Sequence, residues 1–155
     1  MAKKYSVLKV TQVSLNISLV VLLLVISGSI LYTLSKPEIS KLDSALSIFS
    51  TIIFGFFILY IIVVLKQIVR TVATNNSFSE ANVIRFKAIG YSIFGLGLLD
   101  VFVNIGNSNI LILGTPYASL HPLTFAFIIL GCLALLLSEI FVEALAIKNE
   151  NDLTI

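Results

Sequence analysis

Beyond its hydroxyl groups, this chain of 155 residues offers little for acid–base or nucleophilic chemistry: eight acids, ten Lys or Arg, one His and one Cys. Spacing singles out a few of them. Glu139 and Glu143 stand four apart, which puts two carboxylates on one side of a helix. Such a pair can act as acid and base, but like charges one turn apart repel and need cations. Lys66, Arg70, Arg85 and Lys87 are placed to supply them, so a charged belt is preferred here over catalysis. Asp100 is the only acid well inside an apolar run. A carboxylate there is a functional-site hypothesis by default, although hydration through the Asn104 and Asn107 end is the favoured expectation. His121, alone beside Pro122, supports no metal site and is expected at a surface or interface. Cys132, without a second cysteine, excludes a disulfide, a CxxC pair and a thiolate cluster. No Gly-rich phosphate loop is present. No enzyme activity, cofactor or metal is expected.

The elements that must position these groups are hydrophobic. The chain is 58% apolar and 12% charged, whereas a water-soluble surface takes about a quarter charged residues. The reading is an integral membrane protein of a single transmembrane domain, residues 1–155. A net charge of +2 is too small to imply direct nucleic-acid binding. Four spans are expected, at about 13–34, 45–65, 88–105 and 123–147, forming an all-α four-helix bundle. The first run is longer than the ~7–15 residues of a signal-peptide core and is read as retained. On it, Gln12, Asn16 and Ser27 share one side, expected to face other helices because lipid offers them no partner. On the third span Gly90, Gly97, Asp100 and Asn104 share a face suited to close helix contact or to a polar neighbour.

Residues 66–87 read as a helical hairpin outside the bilayer. Lys66 to Ala73 continue the second span, Asn75 and Asn76 break it, and Ser79 with Glu80 has the pattern of a helix start. Residues 148–155 are a polar tail. The N-terminus, hairpin and tail together hold eight of the ten Lys and Arg, and the other side holds Lys36 and Lys41. Positive residues mark the cytoplasmic side, so both termini and the hairpin are expected there.

The stretch Phe78-Ser79-x-x-Asn82-x-x-Arg85-Phe86-Lys87-x-Ile89-Gly90 resembles a pattern between the second and third spans of a bacterial family, the domain of unknown function 2975. Ser138-Glu139-Ile140-Phe141 and the closing residues 150–155 are also similar to that family's end, though Val142 stands where the family often has Arg or Lys. The resemblance implies a small four-span protein of the bacterial inner membrane with no assigned activity. It also suggests a helix-turn-helix regulator as partner, since genes of such proteins often neighbour one. The function expected is an interaction or regulatory protein using its hairpin and tail, with Asn82 and Arg85 foremost. The alternative is a small oligomeric transporter or channel with Asp100 in its polar face. The partners are then the lipid bilayer, a regulator or another membrane protein, and a second copy of the chain.

Overall fold

Backbone in lipid can satisfy its own polar groups by forming helices, and the computed structural model is built from four long ones. These are α1 (Ala2–Leu34), α2 (Lys41–Ala73), α3 (Glu80–Val103) and α4 (Pro122–Leu153). The structure describes residues 2–36, 40–74, 77–103, 113–115 and 118–153. Between α3 and α4 lies a short antiparallel ribbon, β1 (Leu113–Thr115) with β2 (Ala118–Leu120), in which Leu113 faces Leu120 and Thr115 faces Ala118. Leu-Gly-Thr and Ala-Ser-Leu are too short, and too little alternating, to announce strands in the sequence. Asn104, Asn107 and the run from Ile110 to Ile112 lie outside the described residues.

Helix ends follow local chemistry. Ser40 caps α2: its hydroxyl accepts from the Asp43 amide at 3.1 Å and donates to the Asp43 carboxylate at 2.6 Å, a reciprocal cap. Pro122 opens α4 at the position where its missing N–H costs no bond. α4 runs through Asn149, Glu150 and Asn151 to Leu153, so most of the expected tail is helix. Three segments among the described residues are long and apolar enough to cross a membrane: Ser6–Leu34, Lys41–Ala73 and Pro122–Asn151.

Packing is uneven. α3 lies most extensively against α4, α1 against α2, and α2 against α3. Small residues set the close approaches. A side chain at Gly90 would meet Leu135 Cδ2 at 2.7 Å and the Gly131 carbonyl at 3.2 Å, and Phe94 fills the space over Gly131. Phe57 covers Gly95 in the same manner across α2 and α3. A core of Val64, Ile68, Ile89 and Ala134 joins α2, α3 and α4.

α1 stands apart from that core. None of its most apolar segment is buried. Its half-buried residues include Leu8, Leu15, Leu19, Leu22, Ile26 and Thr33. Their spacing of three, four and seven is a narrow coiled-coil-like seam, and it faces α2. Beside it, Leu22, Ile26, Ser29, Thr51 and Phe54 line a cleft of about 300 Å³. The expected polar side of α1 does not turn inward. Asn16 and Ser27 are exposed and Gln12 is half-buried. Ser27 satisfies its hydroxyl on the Leu24 carbonyl of its own helix at 3.0 Å, which removes the need for a neighbour.

Candidate functional site

Asn82 sits in the first turns of α3 and is completely buried. A buried amide must find partners or lose stability, and this one ties three segments together. Its Nδ2 donates to the Ser77 carbonyl at 2.7 Å, fixing the connection from α2. Its Oδ1 accepts from Thr71 Oγ1 of α2 at 2.9 Å and from Arg85 Nη1 at 2.9 Å. Arg85 in turn donates through Nε to Gln67 Oε1 at 3.1 Å. The end of the α2–α3 hairpin is thus closed by one continuous network. Ser79 stands just before α3 and its carbonyl accepts from the Asn82 and Val83 amides. Its hydroxyl, buried, has no hydrogen-bond partner among the described residues, so the cap expected of that side chain is not made and the turn is held by the Asn82–Ser77 bond.

The belt divides in two. Arg85 and Lys87 are two positions apart, about 200° around a helix, and so face opposite ways. Lys87 reaches Glu139 on α4 at 3.1 Å, with the lysine half-buried and the glutamate exposed. Arg85 turns to α2 and meets neutral acceptors. Among the described residues Lys66, Arg70, Arg85 and Glu143 make no ion pair.

The α3 and α4 segments singled out by the resemblance pack on one another. Phe141 lies between Phe78 and Phe86, with ring centroids at 5.5 and 4.9 Å. Ser138, fully buried, donates to the Val83 carbonyl at 3.1 Å. Val142, where the family often carries a cation, is exposed.

A second polar group occupies the far end of α3. Asp100 is 2% exposed and accepts from Thr124 Oγ1 at 2.5 Å. Thr124 also accepts from the His121 amide at 3.4 Å. That arrangement puts a carboxylate at the start of α4, where the helix dipole favours an anion. Asp100 and His121 are both buried beside the α4 terminus; the Asn104 and Asn107 end, through which Asp100 was expected to hydrate, lies outside the described residues. Gly90, Gly97 and Asp100 do share a face, and it is the one covered by α4. Asn104 lies outside the described residues. Cys132 is exposed on α4.

Thr71, Gln67, Ser77 and Thr124 were missed by sequence reasoning, and Ser138 was noted only as part of the resemblance. Each is a common polar residue whose role comes from a partner more than one turn away, and its own neighbours carry no signal of that. Among the described residues no group of three or more His, Cys, Asp or Glu side chains is placed to hold a metal ion.

Long apolar helices, joined by polar networks at two ends of α3, mark a helical membrane protein. The chain belongs to the protein family of unknown function DUF2975, whose model matches residues 5–155. No curated protein and no solved structure matches it.

Proposed function

We propose that the protein is a four-span bacterial inner-membrane protein with both termini inside, acting as an interaction or regulatory protein through its cytoplasmic hairpin and the end of α4. The observation that carries this reading is the network on fully buried Asn82. A turn that only had to reverse the chain would need no such cross-bracing. A rigid tip presents one surface to a partner without the ordering cost of a slack loop. Phe78, 45% exposed, and Glu80 lie at that tip, where the Phe78 ring packs on Phe141 of α4. The partner in view is a small helix-turn-helix regulator or another membrane protein. Crosslinking in membranes, with and without Asn82→Ala and removal of the last six residues, tests this. Recovery of the same neighbours from every variant would refute it.

A second reading, a small oligomeric transporter or channel, is supported by the buried Asp100–Thr124 pair within a helical membrane protein. It requires Asp100→Asn to abolish an ion or solute flux in proteoliposomes. An inert wild-type protein there would count against it.

A further inference from the structure

We propose that Arg85, Lys66 and Arg70 form a binding site for the phosphate of an anionic membrane phospholipid. The proposal rests on the membrane insertion argued above and is independent of any protein partner. Arg85 is half-buried and held by two neutral acceptors, Gln67 and Asn82, which fix the plane of its guanidinium. Among the described residues no carboxylate meets its charge and its Nη2 has no hydrogen-bond partner. On α2, Gln67 follows Lys66 directly and precedes Arg70 by less than one turn. The Arg85–Gln67 contact brings Arg85 to the turn of α2 that carries Lys66 and Arg70, which stand one turn apart on the same face, and neither α2 cation has a counter-ion among the described residues. Lys87 does not contribute, since it faces α4 and is paired with Glu139.

Cations on adjoining turns of two packed helices, none of them with a counter-ion among the described residues, favour an anion beside them. A fixed guanidinium edge matches phosphate oxygens in geometry as well as in charge. The level of the cluster identifies the source. Between Asp43 and Lys66, residues 44–65 carry no charge, and 22 residues of helix span ~33 Å. That equals the hydrocarbon thickness of a bilayer, ~30 Å. Lys66 and the Arg85–Gln67 contact then fall in the headgroup layer, with Arg70 about one turn beyond. Basic groups at that depth are drawn to anionic lipid.

The test is native mass spectrometry of the full-length protein, extracted in detergent and exchanged into mixed micelles of phosphatidylglycerol or phosphatidylcholine. Phosphatidylglycerol should be retained over phosphatidylcholine. Retention should fall about tenfold in Arg85→Gln and in Lys66→Gln/Arg70→Gln, the loss expected for a charged hydrogen bond. Lys87→Gln should match the wild type. The α2 double variant touches no bond of the Asn82 network, so it tests the site even if Arg85→Gln misfolds. Equal retention of both lipids, or wild-type retention by the double variant, would overturn the proposal. Displacement of the lipid by millimolar inorganic phosphate would overturn the lipid assignment in favour of a soluble anion. Carbonate-resistant membrane integration, measured on the same variants, reports on insertion separately.

Discussion

Arg85 donates to the side-chain oxygen of Asn82, three residues earlier on the same helix, at 2.9 Å, and Thr71 of α2 shares that oxygen at the same distance. One atom thus links a surface-reaching cation to the buried crossing of two helices.

Asn82→Ala should lower stability by about 1–3 kcal/mol, because it takes the donor from the Ser77 carbonyl and the acceptor from Arg85 Nη1, while Thr71 falls back on the Ile68 carbonyl at 2.7 Å. Asn82→Asp keeps the acceptor for Thr71 and Arg85 and adds charge attraction to Arg85, against an oxygen now facing the Ser77 carbonyl, so it should cost less. Thermal unfolding of the purified protein in one detergent gives the ranking. Equal loss in both variants would mean that the shared oxygen is not what matters.

The glycines separate cleanly. Gly90→Ala drives a methyl towards Leu135 and the Gly131 carbonyl and should cost about 1–3 kcal/mol. Gly28→Ala meets nothing within 4 Å and should be neutral or gain about 0.5–1 kcal/mol from helix propensity. A denaturation series on the two variants decides it. Reversal of their order would show that α3 and α4 are not held at this distance.

For Ser138, loss of the hydroxyl in Ser138→Ala removes one bond to Val83 and should cost about 0.5–1.5 kcal/mol. Ser138→Leu adds bulk where nothing is exposed and should cost more, about 1–3 kcal/mol. The comparison tells a polar contact from a steric one.

Lys87 and Glu139 offer the opposite case. Their side chains are 42% and 63% exposed, so solvent screens the pair. A double-mutant cycle through Lys87→Ala and Glu139→Ala should return a coupling below about 1 kcal/mol. A larger value would show that the pair is shielded from water, for example by lipid headgroups.

At the other end of α3, Asp100→Asn retains an oxygen to accept from Thr124, whereas Asp100→Ala leaves that buried hydroxyl without it. Asp100→Ala should therefore be the less stable of the two by about 1–3 kcal/mol. Unfolding midpoints that coincide would discount this hydrogen bond.

The helices were legible because composition dictates them: residues 44–65 have no alternative to a helix in lipid. The division of the belt was missed, although rotation around α3 carries it. Arg85 and Lys87 differ by about 200°, so one set of carboxylates was never within reach of both. What stayed hidden was the rotation of α1. Gln12, Asn16 and Ser27 looked like an inward face, but a serine that bonds its own backbone carries no directional demand. The seam through Leu15, Leu19, Leu22 and Ile26 is the better guide, although it competes with equally apolar residues all round the helix. Burial of Asp100 depended on Thr124, 24 residues away, with nothing in the local pattern to say so.

Ser138 pins Val83 near one end of the α3–α4 pair, and Thr124 pins Asp100 near the other, about 25 Å along α3 at 1.5 Å per residue. A slide or roll of either helix would break both fastenings together, so the pair is mechanically a single strut. Compliance is left to the α1–α2 seam, across which no side-chain hydrogen bond joins the described residues. Any signal arriving at the hairpin would be carried by the strut as a whole and absorbed as tilt against α1. Hydrogen exchange should record this as joint protection of α3 and α4 and earlier opening of α1.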